Sequence, residues 1–267
     1  DQLTQQPSAH TDGNLWQQAP SHLPLVQADM RDFVVAWLVQ FRALATPAPQ
    51  QTMVAHVLLN ALMHAPAEPL WEPTLLGLVR DEHATQDIRT SALDALDVHK
   101  SGPATLLALL DDLYQEKLHD PRGKLTDHLL QHLYPKHLRP SEVLRFLKLT
   151  RLQPLRRGVS SMFWSYHIEK TTSPELLTEL MEAMQQATTN GLFSDATFSE
   201  ASHDLTGLES LAVQAVETQG ASLPAAQLAR WLWMCLDWQT SPFGSLSQHN
   251  KQRLGLWLGT HHELIEP

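Results

Sequence analysis

The chain has 267 residues, 43% of them apolar, one cysteine and a formal net charge of −10. That apolar share can bury a core, which excludes disorder throughout, and one cysteine excludes an internal disulfide framework. Net negative charge disfavours nucleic acid and anionic membranes as general partners, and no stretch reaches the ~20 apolar residues that span a bilayer.

Residues 1–22 are rich in Gln, Ser, Pro and His and contain no Lys or Arg. They read as a polar linker or arm. The first residue is Asp1 rather than Met, which suggests a processed protein or, in preference, a piece of a longer one. From Gln27 onward Met30, Phe33, Val34, Trp37, Leu38 and Phe41 recur at spacings of three and four, the stripe of an amphipathic helix. Pro47 and Pro49 break it, and a second helix is predicted over 50–64, with Val54, Val57, Leu58, Ala61 and Leu62 inward. Ten more follow: 72–82, 86–98, 103–117, 121–134, 140–150, 157–169, 174–189, 205–219, 224–239 and 246–264. Asp120-Pro121 and Ser173-Pro174 each place a capping side chain before a proline suited to the first helical turn. Residues 190–204 read as a longer loop. No run shows the period-2 alternation of a strand.

Asp87, Arg89, Asp94 and Leu96 recur 33 positions later as Asp120, Arg122, Asp127 and Leu129. An Asp and an Arg near the start of a pair's second helix is a feature of HEAT repeats, and a period in the thirties suits stacked helix pairs. The expected fold is all-α: a HEAT-like α-solenoid of antiparallel helix pairs, with an irregular helical bundle as the alternative. Residues 23–189 would form the repeat region, and 205–267 a C-terminal helical region continuous with it.

Three phrases carry a family resemblance. They are Asp120-Pro121-Arg122 to Leu130, then Leu133-Tyr134-Pro135-Lys136-His137-Leu138, then Ser141-Glu142-Val143-Leu144. The end of the chain adds Leu232-Trp233 to Trp238, Leu246-Ser247, Leu254 to Leu258 and His261-His262-Glu263-Leu264. Together they resemble the helical region C-terminal to the NTPase domain of large bacterial NACHT-type proteins. The resemblance implies a HEAT-like region that senses a partner or restrains the attached NTPase, in some cases in antiphage defence. The chain lacks the Gly-Lys-Ser/Thr phosphate loop, so any NTPase activity would lie outside it.

No catalytic constellation stands out, and no cofactor or metal is assigned. His128 and His132 share a helix face at i and i+4, with Asp127 and His137 nearby, but no Glu follows the first His as in a metalloprotease. Ser160 and Ser161 lack a nucleophile elbow and do not converge with His167. Cys235 reads as a buried thiol, which fits a reducing cytoplasm. Trp231, Met234, Cys235 and Trp238 form a core stripe. Trp233 falls off it, and is read as a second buried face in preference to an exposed anchor.

Charge is segregated. Lys136, Arg139, Arg145, Lys148, Arg151, Arg156 and Arg157 stand against Glu142 alone over 136–157, whereas 171–229 hold eight acids and no Lys or Arg. Arg139, Arg145, Lys148, Arg151, Arg156 and Arg157 are the candidate partner-binding residues. The expected function is a non-catalytic binding or regulatory module engaging a protein partner or an attached NTPase. Nucleic-acid binding through 136–157 is the alternative.

Overall fold

A computed structural model describes residues 28–44, 46–66, 68–98, 101–147, 149, 162–191, 205–236 and 245–264. Among them the regular elements are all helical. The predicted arm, and residues 192–204 of the loop predicted over 190–204, fall outside these residues. The chain divides into two compact units, Asp1–Asp120 and Pro121–Pro267.

The first unit contains α1 (Ala28–Arg42), α2 (Pro49–Met63), α3 (Glu72–Val79), α4 (Gln86–Val98) and α5 (Gly102–Tyr114). In α1 the stripe buries Val34, Leu38 and Phe41, and Trp37 stacks on Phe41 at 5.5 Å. Phe33, expected inward, is instead 48% exposed. Helix α2 starts at Pro49, where a missing N–H costs nothing, and Gln51 Oε1 accepts the free N–H of Ala48 at 2.8 Å. Its inward face is Ala55, Leu58, Leu59, Ala61 and Leu62, with Val54 and Val57 only half-buried.

Helices α1, α2 and α3 each meet the next but one. Helix α1 contacts α3, and α2 contacts α4. Helix α3 reaches α5 through Arg80–Asp112 at 2.6 Å and Thr105–Glu72 at 3.2 Å. The echo of Asp87 and Arg89 in Asp120 and Arg122 does not carry into equivalent roles. Arg89 is buried and donates to the Val79 carbonyl at 2.8 Å, whereas Arg122 is exposed. Nor does Asp120 cap a helix through Pro121. The following helix opens three residues later, behind Gly123 at φ 64, and Asp120 accepts from Gln86 at 2.7 Å. That left-handed φ suits a residue without a Cβ.

The second unit contains α6 (Lys124–Leu133), α7 (Pro140–Val143), α8 (Ile168–Thr171), α9 (Leu177–Thr189), α10 (Thr206–Gln219), α11 (Ala225–Leu236) and α12 (Gln248–Thr260). The helix predicted over 140–150 tightens into a 3₁₀ turn at Leu144–Phe146. The described part of the one predicted over 157–169 contains a π-helical turn, Phe163–His167, leading into α8. The same alternation holds here. The π segment meets α6 and α10, α10 meets α12, α7 meets α9, and α9 meets α11.

Long-range polar ties among the described residues of this unit span sequence separations of 36 to 45. Thr206 bonds the Ser165 carbonyl, Ser210 bonds Glu169 and Thr178 bonds Gln219, each 41 residues apart. A buried carboxylate also serves twice as a cap for a later helix. Asp127 of α6 accepts the Phe163 N–H at 3.0 Å, and Glu209 of α10 accepts the Ser247 N–H at 2.6 Å. The Ser247 N–H stands at the start of α12, where no intrahelical carbonyl reaches it. Trp164 and Trp231 are fully buried in this unit. Each removes about 150–250 Å² from water, worth about 4–6 kcal/mol at ~25 cal/mol/Å².

Candidate functional site

Helix α11 has an apolar face on each side. Leu228, Trp231, Leu232, Met234 and Cys235 face the core. Ala226, Ala229, Arg230, Trp233 and Leu236 face outward, with Trp233 66% and Leu236 54% exposed. Trp231, Met234 and Cys235 of the expected core stripe are buried, Trp238 lies outside the described residues, and Trp233 is a surface side chain rather than a second buried face. Its place off the stripe was the signal: the helical turn of 100° per residue sets it away from Trp231 and Met234.

Between α9 and α11 lies a cleft of about 450 Å³, lined by Gln185, Thr188, Thr189, Ala229, Arg230, Trp233 and Met234. Its volume lies within the range of small-ligand and peptide-anchor pockets. Met181 and Met184 hold α9 down on its buried face, which turns Gln185 and Thr189 outward. On the other wall the Arg230 Nε donates to the Ala226 carbonyl at 3.2 Å, fixing the stem along the helix. No ion pair of Arg230 is formed among the described residues.

The candidate basic residues are only partly brought into view. Arg139 and Arg145 are exposed, while Lys148, Arg151, Arg156 and Arg157 lie outside the described residues. The Arg139 backbone N–H is capped by Glu142 at 2.8 Å, and the Arg145 guanidinium sits over the Phe146 ring at 4.5 Å.

The histidine pair comes together on α6. A ring nitrogen of His128 and one of His132 lie within 4.8 Å of each other, both residues half-buried. His137 is exposed, and Asp127 is committed to Phe163 and to the Gln131 amide at 2.9 Å. Sequence reasoning missed His167 as a neighbour of this group. Its Nε2 is buried without a hydrogen-bond partner among the described residues. Burial holds its pKa below the ordinary histidine value, with Asp127 opposing. Ser160 and Ser161, weighed against His167, lie outside the described residues.

Cys235 is buried, and its thiol is pushed up to about 12, first by burial and then by the Glu209 charge. A protonated buried thiol is neither nucleophile nor metal ligand. No helix among the described residues is long and apolar enough to cross a membrane. No protein-family model, curated protein or solved structure matches the chain.

Proposed function

We propose that the chain is a non-catalytic helical-repeat module that binds a protein partner through the cleft between α9 and α11. The single observation that carries this is Trp233, 66% exposed on the wall of a cleft of about 450 Å³. Exposing a tryptophan forfeits several kcal/mol of burial, and tryptophan is the side chain most enriched at binding hot spots. The next-but-one contacts within each unit, and ties that recur at 41 residues, favour a solenoid over an irregular bundle. Solenoids present grooves between successive helices of one row, and α9 and α11 are such neighbours.

Capture of partners on the wild-type chain and on Trp233→Ala tests the reading. Because Trp233 is exposed, the substitution costs about 0.5 kcal/mol of stability or less. A protein retained by wild type and lost by the variant, at unchanged Tm, supports the proposal. Identical retained sets overturn it.

The resemblance to NACHT-type proteins favours a sensor or scaffold role beside an NTPase. A phosphate-loop domain encoded upstream in the same reading frame would support that role, and its absence would remove it. Nucleic-acid binding stays as a second reading because Lys136, Arg139 and Arg145 are all exposed. Salt-dependent retention on duplex or single strands would favour it, and no retention at low salt would exclude it.

A further inference from the structure

Arg230 is the only Lys or Arg between Lys170 and Lys251, and eight acids crowd 171–229. It forms no ion pair among the described residues, and its Nε is already spent on its own helix. Arg230 lines a cleft whose α11 wall is otherwise Ala229, Trp233 and Met234. On the facing helix, Glu182 is exposed and lies one turn before Gln185 and two before Thr189. The cleft thus combines an apolar wall, the Gln185 amide opposite with two threonine hydroxyls that donate to their own helix at 2.9 and 3.0 Å, and the Arg230 cation.

Resting on the reading of the cleft as a partner site, we infer that it selects an apolar residue of the partner that carries one carboxylate nearby. The apolar group packs on Trp233 and Met234, and the carboxylate accepts from the Arg230 fork. Arg230 and Trp233 are three residues apart on α11, hence neighbours on one face. A polyanion is disfavoured, because Arg230 is the one cation lining the cleft among the described residues and the exposed Glu182 on the facing helix repels further negative charge. A cationic group would meet the Arg230 guanidinium.

The test uses the full chain with ¹³C-methyl-labelled methionine, following the Met234 resonance. The probes are N-acetyl-phenylalanine, its carboxamide and phenethylamine. The acid is expected to shift Met234 and to bind roughly tenfold more tightly than the carboxamide, with the amine weakest. Arg230→Gln should erase the preference for the acid while the carboxamide still binds. Trp233→Ala should abolish both. If the carboxamide matches the acid and binding still depends on Trp233, the carboxylate inference fails while the cleft reading stands. If the amine equals or exceeds the acid, the inference is overturned. If no probe shifts Met234, both readings fall.

Discussion

Replacing Glu209 with alanine should cost about 3–5 kcal/mol, a large part of a stability of about 5–15 kcal/mol. The carboxylate is 4% exposed. One oxygen, Oε1, accepts both the Ser247 N–H at 2.6 Å and the Asn250 amide at 2.9 Å. Hydrogen bonds to a charged acceptor contribute about 1.5–3 kcal/mol each. Ser247 is exposed, so water recovers part of its share, while Asn250 is buried and loses its acceptor in full. Glu209→Gln keeps a carbonyl oxygen in the same place and gives up only the charge, so its cost should be about 1–2 kcal/mol. Urea unfolding of the three proteins gives the differences, and hydrogen exchange along α12 localises them. A loss under about 1 kcal/mol for alanine, or equal losses for the two variants, would refute the assignment of this carboxylate as the cap of α12.

Further outcomes follow from other contacts. A Cβ on Gly207 would stand 2.6 Å from the Trp164 carbonyl oxygen, so Gly207→Ala should lose about 1–3 kcal/mol by thermal or urea unfolding. Gly255 faces open space, so Gly255→Ala should gain up to about 1 kcal/mol from helix propensity. His56 and His167 are both held below 6.5 by burial, so the unfolded chain binds more protons than the folded one. Their contribution is intact above 6.5 and is lost as pH falls from there through the folded-state values; urea midpoints should drop over that window, and less so in His167→Gln. With its thiol near 12, Cys235 should resist alkylation by iodoacetamide until the chain unfolds. Rapid labelling of the native chain would contradict its burial.

The helical layout was legible because it rests on local causes. The apolar period and the prolines placed α2, α4 and α10 within about a residue of where they lie. The misses arise where tertiary contacts decide. The π turn at Phe163–His167 is tied at its start by Asp127, 36 residues earlier, and no local pattern reports that bond. Asp120-Pro121 looked like a cap, yet Gly123 opens the helix and Asp120 turns to Gln86. Ser173 behaves similarly: it precedes Pro174 as expected, but its hydroxyl bonds the Glu175 carboxylate instead of capping. Phe33 and Trp233 show the limit of composition, since a large apolar side chain reads as core unless its neighbours are known. Arg230 carried a visible signal, its isolation among acids. Its significance depended on the cleft beside it, which only the arrangement of α9 and α11 reveals.

The most direct test of the binding reading places a photo-crosslinking amino acid at Ala229, on the cleft wall, and at Gln252, exposed on α12, in cells of the source organism. The account predicts one discrete protein adduct at Ala229, lost when Trp233→Ala is added and absent from Gln252. Equal adducts at both positions, or none at Ala229, would contradict it.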